Sequence, residues 1–458
     1  MRLLKRLQLF LRPAKLETTQ SAEVEEMGRI MEKAPGMKDV YEQVLRDVTS
    51  DNKAHTGAEG LTAEQIVRLG VLRTRFDLSY RELSDWTGDS LSVRAFLELA
   101  PGKKVSKSAI QKNLKRVGES TWVKLNECLK LFAAQEGIED GKAVRGDTTT
   151  TKANVHFPTD ASLLCDGVRV LTRAMNRLKA WVGAPIESSD HHRRAKKKLY
   201  KINNTRKERV RHECYLELIR VTRMTLEYAE RAVEMLKGFN PSSQDSLVTL
   251  MALEAQLQHY IPLVKQVVEQ AHRRIVKGEK LSANEKLFSI FEPETDIIVK
   301  GQRDIVFGHK VLIATGKSSL ILQLSTLDGN PADSSLVETV IEEHKKSYGS
   351  APRDMAFDGG FASTANRDLA KLAKVENITF SKNGSMPLES LMSSPKKHGM
   401  LMRFRAGVEG CISFFKRIFG ATKILDRTKK TFAATLQCAA VAYNLTLLAR
   451  FKLQQAQT

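Results

Sequence analysis

Cysteine is scarce and scattered. The five residues Cys128, Cys165, Cys214, Cys411 and Cys438 form no CxxC pair, and no histidine stands at zinc-ligand spacing. That excludes a disulfide scaffold or a zinc finger and fits a reduced cytoplasm. Uninterrupted apolar runs fall well short of roughly 18–20 residues, so no segment reads as a membrane span. The amino-terminal MRLLKRLQLFLRPAK is broken by Arg2, Lys5, Arg6 and Arg12 and has no small-residue cleavage site. It reads as a short amphipathic helix ending near Pro13 rather than a targeting segment. Acidic residues are in deficit, 53 Asp+Glu against 73 Lys+Arg, which leaves a formal charge of +20. Such a surplus points to a polyanionic partner, most simply nucleic acid. With 42% hydrophobic and 28% charged residues, the 458-residue chain is neither disordered nor low in complexity. Its length suits two or three domains.

Residues 1–60 read as a helical arm and 61–140 as a helical domain. Thr62 is a helix cap ahead of Ile66, Leu69 and Leu72, which share one face. Ser79 and Glu82 stand in capping-box relation, and Gly88 marks a turn. VSKSAIQKNLKRVGESTW then opens at a Ser cap and carries Lys107, Lys112, Lys115 and Arg116. A helix, a turn and a second basic helix is the pattern of a helix-turn-helix reader of the major groove, with Lys112 and Arg116 against phosphates. The plainer alternative is a packing domain with solvated charges.

Ala143–Thr148 has strand character and ends on an acidic residue, Asp147, with a run of threonines after it. Strand character returns in DIIVKG, HKVLIATG and SLILQLSTLDG, the last two joined as a hairpin. There follow a helix with Leu336, Val340 and Ile341 inward, a strand ending on Asp358, a short helix, the strand NITFSK, a Pro/Ser/Lys loop and a helix from about Val408. That order predicts an α/β fold over 141–174 and 290–430, a mixed sheet with covering helices of ribonuclease-H-like topology, provided 175–289 is an insertion. Two long helical patterns in the insertion, about 213–237 and 244–276, predict an antiparallel hairpin. Ten Lys/Arg between 193 and 211 form a basic shoulder on it, in which Lys196, Lys197 and Lys198 are candidate phosphate contacts. TFAATLQCAAVAYNLTLLARF, within 431–458, reads as a core helix too short for a membrane anchor.

In-line attack on a phosphodiester is served by two metal ions about 4 Å apart. Magnesium takes hard oxygen ligands, so such a site is built of carboxylates. Asp147 and Asp358 each end a strand and Glu409 stands near the start of the last helix, so adjacent strand ends and a nearby helix can bring all three together. Asp160 and Asp166 compete for the first position, but they follow Pro158 in what reads as a loop. Gly316–Ser318 (GKS) lacks the earlier glycine of a phosphate-binding loop, since Val311 stands there. Cys165 and Cys411 have no His–acid context and read as buried thiols. Trp86, Trp122 and Trp181 read as core or interface residues.

RGDTTTTKANVHFPTDASLLCDGVRVLTR, DMAFDGGFASTANRDLA and MRFRAGVEGCISFFKRIFG resemble, in order, the three catalytic blocks of bacterial insertion-sequence DDE transposases. The last block has Arg405-x3-Glu409-x6-Lys416, the spacing of a Y-R-E-K signature, with Met402 in place of its Tyr. The resemblance covers about 141–445, most of the insertion excepted. It implies that Asp147, Asp358 and Glu409 hold two Mg²⁺ ions, with Mn²⁺ as a substitute. It also implies that Lys416 and Arg405 grip DNA phosphates, and the residues themselves offer Arg169 and Arg173 as further contacts. The activity implied is cutting at element ends and joining of the freed 3′-hydroxyl to target DNA. The assembly implied is a homodimer or larger oligomer on DNA, in a bacterial cytoplasm at the nucleoid. Two alternatives stay open: a structure-selective nuclease that does not join, and a non-catalytic DNA-binding derivative.

Overall fold

The computed structural model describes residues 19–49, 60–241, 243–300, 304–382 and 386–457; the helix expected before Pro13 lies outside them. Two compact units emerge. One holds the described residues up to Asn154 together with those from Gly308 onward, and the other is Val155–Phe307.

The first unit opens with helices α1 (Thr19–Lys33), α2 (Met37–Val48), α3 (Ala63–Arg75), α4 (Tyr80–Asp89), α5 (Leu91–Phe96), α6 (Lys107–Leu114) and α7 (Glu119–Gln135). Their starts are local chemistry. The Thr62 hydroxyl accepts from the Gln65 amide, the Ser79 hydroxyl accepts from that of Glu82, and both close as reciprocal capping boxes. Gly88, expected at a turn, lies inside α4; the break falls at Ser90, whose side chain caps α5. Strand β1 (Ala143–Lys152) follows; it does not end at Asp147 as expected, because the threonines after it go on pairing with the strand that ends at Thr315.

The second unit contains α8 (Asp160–Arg177), α9 (His192–Asn204), α10 (Glu208–Leu236), α11 (Gln244–Ala271), β2 (Asp296–Lys300) and the first residues of β3 (Asp304–Thr315). The expected two-helix hairpin is a larger bundle. α8 packs against α9, α10 and α11, with Leu164, Val168, Leu171 and Met175 buried. A Cβ at Gly167 would stand 2.8 Å from Val264, so glycine sets how closely α8 and α11 approach. Of the segment 141–174 assigned from sequence to the α/β domain, residues 155–174 therefore belong here, while 141–154 stay with the first unit. The apolar face of α8 needed the distant α11 as a partner, which local pattern does not reveal. Asp160 is no loop residue either. It is the first residue of α8, buried, and held by Arg274 at 2.6 Å and Gln270 at 2.9 Å.

From Gly308 the first unit resumes with the rest of β3, then β4 (Ile321–Thr326), α12 (Val337–Tyr348), β5 (Asp354–Phe357), α13 (Thr364–Leu372), β6 (Asn377–Phe380), α14 (Pro395–Ile418) and α15 (Lys429–Gln455). The sheet order is β2-β3-β1-β5-β6, with β4 also on β3. β1 runs antiparallel to β3 and parallel to β5, β3 pairs antiparallel with β4, and β5 pairs parallel with β6. The expected mixed α/β architecture is thus present.

α14 starts thirteen residues before Val408, at Pro395, because Ser394 caps the Lys397 amide and Pro395 fits the first turn without a donor to waste. The Pro/Ser/Lys stretch read as loop is helix from Pro395 onward. α15 is, among the described residues, the one helix long and apolar enough to cross a membrane, so the expectation that it is too short fails. It is nevertheless core, since 89% of its apolar window is buried within the protein. It packs on α7, α1, α3 and β4. Asn444 on α15 donates to Asn126 of α7 at 2.6 Å and to the Ile321 carbonyl at 2.8 Å, and accepts from the Ile321 amide at 2.7 Å. The amino-terminal helices and the sheet thus share one core, and 61–140 is not a separate compact unit.

Candidate active site

Parallel pairing of β1 and β5 sets Gly146 opposite Phe357, so Asp147, the next residue of β1, stands beside Asp358, the first residue after β5. A Cβ at Gly146 would lie 2.6 Å from the Phe357 ring; glycine lets the strands close just before the acid. Glu409 comes from α14, and Arg145 fixes that helix. Buried Arg145 donates from Nε to Thr315 at 2.9 Å, from Nη1 to the Phe404 carbonyl at 2.7 Å and from Nη2 to Ser319 at 2.8 Å. Its guanidinium lies against Gly407, where any Cβ would collide with it. Lys416 adds a second tie, its Nζ donating to the Thr150 carbonyl of β1 at 2.6 Å. Met402, in the tyrosine position of the resembled signature, receives the Thr379 hydroxyl at 3.8 Å.

These ties bring the three acids around one cation. The Arg405 Nη2 lies 3.6 Å from Asp147 and 3.2 Å from Asp358, while its Nη1 lies 3.2 Å from Glu409. Arg405 stands inside α14, not ahead of it as expected. Exposure rises outward through the cluster, from 19% at Asp147 to 47% at Asp358 and 69% at Glu409. The two aspartates titrate in opposite directions. Burial pushes Asp147 up, and the Asp358 and Asp333 charges add to it, outweighing the Thr148 amide and Arg405. Asp358 is also penalised by burial, but the Ser381 hydroxyl, the Gly359 amide, Arg405 and Lys382 hold it below the ordinary carboxylate range.

Asp333, Lys310 and Ser381 were not singled out in the sequence. Asp333 accepts from the Thr148 hydroxyl at 2.9 Å and pairs with Lys310 at 2.8 Å; a Cβ at Gly360 would stand 2.9 Å from it. The pair of glycines after Asp358 was the available signal that something approaches there. The GKS turn is filled by the protein itself, since buried Glu139 accepts from the Ser318 amide at 2.8 Å and from its hydroxyl.

None of the protein families, characterised proteins or solved structures compared with the chain matches it.

Three carboxylates converging on one point offer the hard oxygen donors that Mg²⁺ or Mn²⁺ takes. Among the described residues no three His, Cys, Asp or Glu side chains already gather closely enough to hold a metal ion. The donor chemistry fits; the acids would have to close on the position that Arg405 fills.

The other candidate contacts are spread widely. Lys112 is exposed on α6, and Arg116, just past that helix, donates to the Val48 carbonyl at 2.9 Å. In the second unit Arg173 is exposed on α8, while Arg169 pairs with Asp166 at 2.6 Å and stacks on Phe291. Lys196 and Lys197 are exposed and Lys198 half-buried on α9, whose buried residues are Ala195 and Ile202 alone.

Proposed function

We propose that this chain is a DDE-type DNA transposase with a ribonuclease-H-like catalytic fold. One observation carries the reading: strand register makes Asp147 and Asp358 neighbours, and a helix tied to the same strand brings Glu409 to the cation they share. The fold assignment rests on strand order, with three antiparallel strands β4, β3 and β1 continued by parallel β5 and β6, and helices between β4 and β5, between β5 and β6, and after β6.

Asp147, Asp358 and Glu409 are the residues that would hold divalent ions. Bound there, such ions activate the attacking oxygen and neutralise charge on the leaving one. Asp147 supplies a rigid inner carboxylate from the strand, Asp358 one whose depressed pKa keeps it ionised, and Glu409 an outer one at the open side. Lys416 and Arg145 hold α14 in register with β1. The exposed bases of α6 and α9 suit the phosphates of a duplex and fit element ends as partner, with a homodimer or larger assembly on DNA in a bacterial cytoplasm.

Oligonucleotides carrying the inverted repeats that flank the gene, incubated with Mg²⁺, test this. Cleavage followed by joining of the 3′ end is expected, with loss of at least about a thousandfold in rate for Asp358→Asn and unchanged end binding. Cutting without joining would place the chain among nucleases, and binding with neither would make it a non-catalytic DNA-binding protein. Collapse of binding in Asp358→Asn would make Asp358 a structural residue.

A further inference from the structure

Arg145 on β1 and Arg405 on α14 differ in their bonding. Arg145 is satisfied at Nε, Nη1 and Nη2 by directed hydrogen bonds to Thr315, Phe404 and Ser319. Arg405 makes one directed hydrogen bond, from Nη1 to Glu409. It meets Asp147 and Asp358 through charge alone, and its buried Nε–H has no hydrogen-bond partner among the described residues. Arg145 uses its donors on fixed neutral acceptors. Arg68, buried among Glu32, Glu64 and Glu98, also leaves its Nε unpaired but is anchored by a bond to the Phe96 carbonyl, and Arg405 has no such neutral anchor among the described residues. Arg405 is held instead by the summed charge of three acids.

We propose that Arg405 is an exchangeable counter-ion. It occupies the cation position of the acid cluster, keeps the carboxylates together before divalent ions bind, and gives that position up to them. The proposal rests on the reading of Asp147, Asp358 and Glu409 as the divalent-ion site.

The geometry supplies both reason and route. A guanidinium and a divalent cation repel when both lie within a few ångströms of the same oxygens, so they compete for them. The cluster is most open at Glu409, one helical turn from Arg405, and a swing of the side chain past Glu409 carries the guanidinium outward while its backbone stays in α14. There its planar fork can take a DNA phosphate through two parallel hydrogen bonds. Ion loading and phosphate capture thereby become one event, and each favours the other by linkage.

Mn²⁺ binding to the full-length protein without DNA, followed through the paramagnetic resonance of free Mn²⁺, tests the exchange. Arg405→Gln is expected to bind Mn²⁺ at least about tenfold more tightly than wild type, because a competing charge has gone. In chelator the same variant should melt earlier than wild type, and Mn²⁺ should raise its melting temperature by more. Should that variant not fold, Arg405→Lys keeps the charge but cannot span three carboxylates, and a smaller tightening is expected. A folded Arg405 variant with wild-type or weaker Mn²⁺ affinity overturns the proposal. Asp358→Asn separates this from its foundation. If Asp358→Asn weakens Mn²⁺ binding while the Arg405 variants fail to tighten it, only the exchange is wrong; if Asp358→Asn binds Mn²⁺ as well as wild type, the acids are not the ion site and both readings fall.

Discussion

Two glycines three residues apart on α14 are expected to answer alanine in opposite senses. Gly407 faces the Arg145 guanidinium, and Gly410 faces open space. Replacing an exposed helical glycine by alanine gains roughly 1 kcal/mol of backbone entropy, so Gly410→Ala should stabilise the protein by up to that amount. Gly407→Ala gains the same term but must expel Arg145 from its seat. The guanidinium ends a flexible side chain, yet it is buried and tied to Thr315, Phe404 and Ser319, so it cannot yield without losing bonds. Hydrogen bonds from a charged donor contribute about 1.5–3 kcal/mol each. Losing the bond to Phe404 and weakening a neighbour costs about 3–5 kcal/mol, which leaves a net loss of about 2–4 kcal/mol. Guanidinium chloride unfolding at constant slope reads both changes as shifts of the midpoint, one up and one down. A Gly407→Ala protein as stable as wild type, or shifted in the same direction as Gly410→Ala, refutes the docking of α14 through Arg145.

Asp354, buried at the start of β5, is penalised by burial, but Lys397, Arg353 and Asn377 hold its pKa below the ordinary value. The unfolded chain binds that proton more readily, so the stabilisation is present above about pH 4 and is lost as pH falls through the lower folded value. Asp354→Asn should therefore flatten the acid limb of a stability–pH curve, and an unchanged limb would contradict the assignment. On the basic face of α9, joint replacement of Lys196, Lys197 and Lys198 by Ala should reduce the slope of log affinity against log salt by about 0.9 for each phosphate that is no longer neutralised. A wild-type slope would remove α9 from the proposed DNA contacts.

What the sequence disclosed was whatever depends on near neighbours. The Thr62 and Ser79 caps, the hairpin of β3 and β4, and the strands bearing Asp147 and Asp358 all follow from residues within a few positions of one another. Elements that depend on distant partners did not disclose themselves. The apolar face of α8 is indistinguishable from one that covers a sheet until Val264 is seen against Gly167. The start of α14 was hidden because Ser, Pro and Lys suit a loop as well as a first turn. At the site, carboxylates stand out by type and spacing, whereas Arg145 among so many basic residues, or Asp333 among so many acids, gains meaning only from what it touches.

The register of β1 with β3 has a consequence for how the chain is assembled. Lys152 and Gly308 are direct partners across that pair, and a Cβ at Gly308 would run into the Thr151 carbonyl, so the two strands close most tightly where the second unit departs and returns. In topological terms the whole of Val155–Phe307 occupies the place of a hairpin loop. Closing about 150 disordered residues carries an entropy cost that grows with the logarithm of their number. A second unit that has already folded shortens the effective span between the strands and removes most of that cost, so the sheet inherits its central pairing from a module outside it. The same junction is the point at which such a module can be gained, lost or exchanged while the strand carrying Asp147 keeps its neighbours.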